Sequence, residues 1–135
     1  MFVVDASVAL AWCFEDEHSE AADRVLGRLA TEPAVAPAIW PLELANAFRT
    51  AERRGRLTIA DGARLRDMLL RLPISVESTP LSAALGEVTE LARACELSAY
   101  DAAYLSLAAA RGYPLATADE RLADAARLAG VDLLI

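Results

Sequence analysis

The chain has 135 residues, the size of one ordinary domain, of which 56% are hydrophobic and 24% charged. This composition supports a buried core and excludes both an intrinsically disordered chain and a small disulfide scaffold. All 13 basic residues are arginine, against 9 Asp and 11 Glu, and the net charge is -7. Without lysine, a P-loop nucleotide site and a Schiff-base enzyme are excluded.

Short apolar runs alternate with longer segments of helical periodicity along the whole chain. The predicted strands cover residues 2–4, 34–36, 74–76, 114–117 and 131–135. One predicted helix begins at about Ser7, and the others cover residues 20–29, 41–54, 58–72, 81–95, 98–111 and 120–128. This order predicts one α/β domain over residues 1–135, a short central parallel sheet with helices on both faces.

The two cysteines and the single histidine offer little material for a site. Cys13 and Cys95 stand far apart in apolar stretches, which predicts buried, reduced thiols in a cytoplasmic protein. His18 follows an acidic run and is predicted to be an exposed imidazole. The apolar run at 6–14 is too short to span a bilayer and lacks a basic segment before it, so neither a signal peptide nor a membrane span is predicted.

Four acids stand in apolar surroundings rather than on polar faces. Asp5 ends the first predicted strand, Asp119 follows the fourth, and Glu43 and Asp101 lie among apolar residues of two helices. Ligands of parallel α/β sheets bind at the carboxyl ends of the strands, where Asp5 and Asp119 fall. If all four acids met there, a divalent ion would relieve their repulsion, and oxygen ligands without Cys or His favour Mg²⁺ or Mn²⁺ over Zn²⁺.

Helix capping is an alternative explanation for three of the four acids. Asp5 could cap the helix that follows it, and Asp101 lies three residues after Ser98, a capping-box spacing. Thr117 and Glu120 form a similar pair around Asp119. Glu43 lies past the first turn of its helix, so capping does not explain it, and a carboxylate on an apolar face needs a partner.

Four segments resemble the PIN-domain ribonucleases, in particular the VapC-type toxins of bacterial and archaeal toxin-antitoxin pairs. These segments are VVDASVAL at 3–10, PLELAN at 41–46, LSAYDAAYLSLA at 97–108 and LATADERLADAA at 115–126. They occur in the order and at the spacing of that family, and the resemblance covers essentially the whole chain. It implies the fold of a PIN domain.

The resemblance also implies a metal-dependent endoribonuclease whose acidic site consists of Asp5, Glu43, Asp101 and Asp119. Asp5 and Asp101 are expected to be direct ligands of Mg²⁺ or Mn²⁺, while Glu43 and Asp119 bind through water or hold a second ion. Such an ion lowers the pKa of a bound water and neutralises charge on the attacked phosphate.

Three further polar residues stand near the acids in sequence. Ser7 and Thr117 lie two residues from Asp5 and Asp119, and Asn46 lies one turn beyond Glu43. Each could orient a carboxylate or a metal-bound water. Helix capping or ordinary core hydrogen bonding is an equally open explanation.

The basic charge is concentrated in one segment. Residues 49–71 carry seven Arg against three acids, whereas the segments on either side are acidic. Arg49, Arg53, Arg54 and Arg56 continue the helix that bears Glu43 and could guide RNA towards the metal. A solvated helix face, a dimer contact and an antitoxin contact remain open alternatives.

The resemblance implies partners as well as chemistry. A VapC-type toxin is expected to bind a small VapB-type antitoxin, whose tail wraps the toxin and obstructs the acidic cleft, and to form a homodimer. The alternative function is a non-catalytic PIN-like module that binds RNA or protein. A haloacid-dehalogenase-like phosphatase or a receiver-like module is disfavoured because the chain lacks the lysine that each requires.

Overall fold

The computed structural model describes residues 1–135 and contains a four-stranded parallel sheet at its centre. The strands, in the spatial order β3-β2-β1-β4, are β1 (Phe2–Val4), β2 (Ala34–Pro37), β3 (Ile74–Glu77) and β4 (Leu115–Ala116). Every residue of β1 and β2 is buried. Because successive side chains of a strand point to opposite faces, both faces of the central sheet are covered, as predicted.

Helices connect the strands and cover the sheet. They are α1 (Ala6–Cys13), α2 (Glu20–Arg28), α3 (Ile39–Arg53), α4 (Ile59–Leu70), α5 (Leu81–Ala83), α6 (Thr89–Cys95), α7 (Ala99–Arg111) and α8 (Glu120–Leu128). Helix α7 packs across β1, β2 and β4, while α1 packs against α2 and α3. A core of 23 buried residues, mostly Ala, Val and Leu, joins the sheet to these helices.

Local signals in the sequence account for several helix ends. The hydroxyls of Thr58 and Ser98 accept hydrogen bonds from the backbone N–H of Asp61 and Asp101, at 3.0 and 3.1 Å, so both serve as N-caps, and the capping spacing of Ser98 and Asp101 is confirmed. At the other end of α7, Gly112 has φ 67°, a left-handed conformation that glycine adopts without strain.

The helix predicted over residues 81–95 is interrupted. A π-helical segment, Ala84–Val88, separates α5 from α6. The Thr89 hydroxyl donates a hydrogen bond of 2.7 Å to the carbonyl of Ala84, five residues earlier. This contact satisfies a carbonyl at the widened turn, and the periodicity of apolar residues does not reveal such a widening.

The strand predicted over residues 131–135 is wrong. The segment makes a single parallel bridge, Leu133 opposite Leu115, with hydrogen bonds of 2.8 Å from Leu115 N to Asp132 O and 3.0 Å from Leu134 N to Leu115 O. The neighbouring strand β4 has only two residues, so it offers no edge along which a longer strand could pair.

The two cysteines and the single histidine lie on helices and loops away from the carboxyl ends of the strands. Cys13 and Cys95 are free and half-buried rather than fully buried, and burial raises the pKa of the Cys13 thiol to about 11. His18 is exposed, as predicted, and lies 2.6 Å from the Asp23 carboxylate. No helix has the length and apolar character needed to cross a membrane.

The packing of the core predicts that two leucines of α8 contribute very differently to the free energy of unfolding. Leu122 is fully buried, whereas Leu128 is 85% exposed. Leu122→Ala leaves a cavity and is expected to lower the free energy of unfolding by about 2–5 kcal/mol, measured by urea denaturation. Leu128→Ala is the matched control, with an expected change within about 0.5 kcal/mol. Equal losses in the two variants would contradict this packing.

Candidate active site

The order of the strands brings two distant parts of the chain together. From β1 the chain runs outward through β2 to β3, then returns to β4 on the other side of β1. The boundary between β1 and β4 is therefore a topological switch point, where parallel α/β sheets bind ligands. Asp5 follows β1 and donates its backbone N–H to Ala116 of β4 at 3.0 Å. Asp5 and the residues after β4 meet at this point.

The Asp5 carboxylate is held by two hydroxyls. Asp5 is only 4% exposed, and its Oδ2 accepts hydrogen bonds from Ser7 Oγ at 2.7 Å and from Thr117 Oγ1 at 2.8 Å. Backbone groups fix both hydroxyls, because Ala118 N donates to Ser7 Oγ at 2.9 Å and Asp119 N to Thr117 Oγ1 at 3.0 Å. The Asp5 side chain makes no capping hydrogen bond to α1, so its surroundings are those of a tethered buried anion.

Glu43 has a partner that the sequence analysis did not identify. The Tyr104 hydroxyl donates a hydrogen bond of 2.6 Å to Glu43 Oε1 and so links α7 to α3. Tyr104 is fully buried. The available signal was its spacing: Tyr104 lies three residues after Asp101 and therefore on the same helix face. The second oxygen of Glu43 has no hydrogen-bond donor from the protein.

Asp101 and Asp119 lie at the beginnings of two helices. Asp101 is in the first turn of α7, partly exposed, and its backbone N–H bonds to Ser98. Asp119 caps α8, since its Oδ1 accepts from the N–H groups of Arg121 at 2.9 Å and Leu122 at 3.3 Å. Capping thus occupies one oxygen of Asp119. Thr117, which the spacing also suggested as a cap, binds Asp5 instead.

Electrostatic coupling connects the four acids. Burial raises the pKa of Asp5, and the charge of Asp119 raises it further, against the hydrogen bonds that lower it. Burial likewise raises the pKa of Glu43, opposed by the Tyr104 hydrogen bond and reinforced by the charges of Asp5 and Asp101. The pKa of Asp101 is raised by burial and by the charges of Asp5 and Asp119. The structure therefore brings the four predicted acids into one region of mutual repulsion.

The donor set suits a hard divalent ion, but the carboxylates do not form a ready-made cage. No group of three or more His, Cys, Asp or Glu side chains is arranged to hold a metal ion. Carboxylate oxygens without nearby thiol or imidazole are the ligands that Mg²⁺ and Mn²⁺ prefer. Uncompensated carboxylates repel one another, and a divalent ion bound between them would relieve that repulsion.

The remaining predicted residues lie outside this hydrogen-bonded network. Asn46 is exposed on α3 and bonds to none of the acids. Arg49 pairs with Glu52 at 3.4 Å. Arg53 and Arg54, the last residue and C-cap of α3, are exposed and form no ion pair.

Arg56 lies beyond the end of α3 and has a different set of partners. It binds both carboxylate oxygens of Asp16 at 2.9 Å and stacks over the Phe14 ring, 5.0 Å from its centroid. These contacts tie the α3–α4 turn to the loop after α1. Arg56 therefore does not continue the helix as the sequence analysis expected.

A parallel sheet with acids gathered at its switch point matches one family of proteins. The PIN-domain family model matches residues 2–128, and the chain belongs to this family. Relatives include VapC ribonuclease Mb0985 of Mycobacterium bovis and ribonuclease VapC9 of Mycobacterium tuberculosis. Each is 38% identical over 124 residues, which cover 92% of this chain and 90% of the relative. The predicted resemblance to VapC-type PIN domains is confirmed.

A solved structure agrees with this assignment. The crystal structure of PAE2754 from Pyrobaculum aerophilum superposes with a TM-score of 0.71 and 26% sequence identity, over 92% of this chain and 78% of that one. The α/β fold predicted from the order of elements is therefore shared with a known protein.

The raised pKa of Asp101 predicts that this acid destabilises the metal-free fold at neutral pH. A raised pKa means that the folded state favours the neutral carboxyl of Asp101. Protonated Asp101 therefore stabilises the fold fully below pH 3.8, its pKa in the unfolded chain, and this stabilisation is lost as the pH rises through the higher pKa of the folded state. Asp101→Asn is expected to raise the melting temperature in EDTA at pH 8, with a gap that narrows towards pH 4. Asp124→Asn, an exposed acid of α8, is the control and should show no such trend. A melting temperature for Asp101→Asn below that of the wild type at pH 8 would contradict the repulsion.

Proposed function

We propose that this chain is a metal-dependent endoribonuclease, the toxin of a type II toxin-antitoxin pair, which cleaves RNA phosphodiesters at the site built around Asp5. The observation that carries this proposal is the buried Asp5 carboxylate, tethered by Ser7 and Thr117 beside three further acids. Two relatives with 38% identity are ribonucleases by name. The proposal therefore rests on two supports, the arrangement of the acids around Asp5 and the family to which the chain belongs.

The resident ion is proposed to be Mg²⁺ or Mn²⁺. Asp5 and Asp101 would bind it directly, and Glu43 and Asp119 would bind through water or hold a second ion. When bound, such an ion supplies a nucleophilic hydroxide at neutral pH and offsets negative charge on the attacked phosphate. The absence of thiol and imidazole ligands among these residues supports a hard cation.

Neighbouring side chains prepare the carboxylates for this role. Ser7 and Thr117 both donate to Asp5 Oδ2, which fixes the orientation of the carboxylate and favours its charged form. Tyr104 does the same for Glu43 through Oε1. Because hydrogen bonds gather on one oxygen of each group, the second oxygen of Glu43 is left without a protein donor. Such partners of a ligand typically contribute tenfold to a hundredfold in metal affinity or activity.

A VapB-type antitoxin and a second copy of the chain are the proposed protein partners, and the cytoplasm is the proposed compartment. Exposed apolar side chains support protein partners: a groove of about 600 Å³ lies between α3, α4 and β3, and Ile59 and Leu70 on its rim are 80% and 76% exposed. Contiguous exposed apolar surface is typical of interaction sites. The non-catalytic alternative is disfavoured by the mutual repulsion of the four acids, which lowers stability unless a cation offsets it.

Cleavage is expected to depend on both the ion and the acids. Purified protein incubated with a structured RNA pool should cut RNA with Mg²⁺ or Mn²⁺ and not with EDTA. Asp5→Asn and Asp101→Asn should each lower the cleavage rate by roughly 10²-fold or more, since metal stabilisation of the transition state contributes several kcal/mol. Gel analysis of the products and sequencing of their ends measure both rate and cut site.

Asp124→Asn, an Asp-to-Asn change at an exposed position on α8, is the matched control and should cut at the wild-type rate. Metal-independent cleavage, or full activity of folded Asp5→Asn, would refute the mechanism. Growth arrest on expression, relieved by Asp5→Asn, separates a toxin from a binding module. A wild-type chain that binds RNA without cutting it under any of these metals would favour the non-catalytic alternative.

The arginines at the end of α3 are proposed to contact RNA outside the acid cluster. Arg54 lies eleven residues after Glu43, three helical turns along the same face, and neither Arg53 nor Arg54 has an ion-pair partner. Replacing Arg49, Arg53 and Arg54 with Gln should weaken RNA binding and make the dependence of log K on log salt shallower, by ~0.7 for each lost contact with a single strand. Fluorescence anisotropy over a salt series measures this slope. An unchanged slope would contradict RNA contact and would indicate that these arginines form only a solvent-exposed helix face.

A further inference from the structure

The arginines of the chain differ in whether a carboxylate already neutralises them. Seven form ion pairs with Asp or Glu. Six have no carboxylate partner: Arg24, Arg53, Arg54, Arg71, Arg93 and Arg121. Among these six, only Arg121 makes a side-chain hydrogen bond within the protein, so it alone combines an uncompensated charge with a fixed position.

The position of Arg121 is set from two sides of the acid site. Its backbone N–H donates to Asp119 Oδ1 at 2.9 Å, in the first turn of α8. Its guanidinium Nη2 donates to the carbonyl of Glu96 at 2.9 Å, in the turn between α6 and α7. That turn leads through Ser98, the N-cap of α7, to Asp101. The Arg121 side chain therefore bridges the segments that carry Asp119 and Asp101.

The turn that Arg121 contacts has an uncommon backbone. Glu96 has φ 54° and ψ 43°, and it is the only residue other than glycine with a positive φ. This conformation is unfavourable for a residue with a Cβ atom and persists where surrounding contacts support it. The hydrogen bond from Arg121 to the Glu96 carbonyl is such a contact. One guanidinium donor is thereby used to hold the turn.

We propose that Arg121 binds the RNA phosphate adjacent to the acid cluster and positions it for cleavage. A guanidinium has five N–H donors, and Arg121 spends one of them on Glu96, which leaves donors for the paired contacts that arginine makes with phosphate oxygens. RNA approaching four carboxylates needs a cation besides the metal, and a chain without lysine must supply it from arginine. The charge of Arg121 also acts on Asp101, whose pKa it lowers. This inference rests on the proposed ribonuclease function.

The test compares Arg121→Gln and Arg121→Lys with Arg127→Gln. Arg127 is the control because it loses the same charge from the same helix at an exposed position paired with Asp124. Arg121→Gln should raise KM for RNA and lower kcat/KM at least ~10-fold, since a charge-assisted phosphate contact is lost. In an Asp5→Asn background, where cleavage is expected to be too slow to disturb a binding measurement, the salt slope of single-stranded RNA binding should become shallower by ~0.7 when Arg121 is replaced by Gln.

Lysine keeps the charge but lacks the forked geometry, so Arg121→Lys should retain the salt slope while kcat/KM stays below the wild-type value. Arg127→Gln should match the wild type in KM, kcat and slope. An unchanged KM and salt slope in folded Arg121→Gln would overturn the inference. If thermal melting shows that Arg121→Gln does not fold, wild-type RNA affinity and kcat/KM in Arg121→Lys would overturn it instead.

The design separates this inference from the proposed function. If the wild type cuts no RNA with any metal, the proposed ribonuclease function fails, while the binding measurements still report on Arg121. If the wild type cuts RNA and Arg121→Gln behaves like Arg127→Gln, only the role of Arg121 fails.

Discussion

The structure depends on a buried carboxylate at the end of its central strand. Asp5 is almost fully enclosed, and a charge in that position would be strongly destabilising without partners. Ser7 and Thr117 supply two hydrogen bonds to one oxygen, and Thr117 is itself buried beside Asp5. The contact joins residues 112 positions apart and exists only because β1 and β4 are neighbours. The order of the strands in the sheet therefore determines which residues meet at the site.

The four acids oppose one another in the absence of a cation, and none of them forms an ion pair with an arginine. Burial and mutual repulsion raise the pKa of Asp5, Glu43 and Asp101. Compensation comes from the hydroxyls of Ser7, Thr117 and Tyr104, from a helix N-terminus, and from the charge of Arg121, which opposes the rise in the pKa of Asp101. A fold that keeps such a cluster gives up stability, which is typical of functional sites. A divalent ion would recover that loss.

Sequence reasoning predicted most of the fold because the signals were local. Runs of buried β-branched and apolar residues marked β1 and β2, and Ser98 and Thr58 marked the beginnings of helices. It failed where pairing or packing decided the outcome. The terminal segment has the pattern of a strand but meets only the two residues of β4, and the π-helical segment interrupts a helix whose apolar spacing is regular. Two contacts at the site were not predicted, because Tyr104 of α7 reaches Glu43 on α3 and Arg121 of α8 reaches the turn between α6 and α7.

The sequence by itself determined most of the order of helices and strands, the positions of the four acids along the chain and the restriction of positive charge to arginine. These follow from residue type and spacing, which act within a few positions along the chain. Tertiary structure alone decided that Thr117 holds Asp5 instead of capping α8, that Tyr104 binds Glu43, and that Arg121 bridges to Glu96. Spacing left these choices open because each hydroxyl or guanidinium has several nearby acceptors, and only the packing of β4, α7 and α8 against the rest selects one.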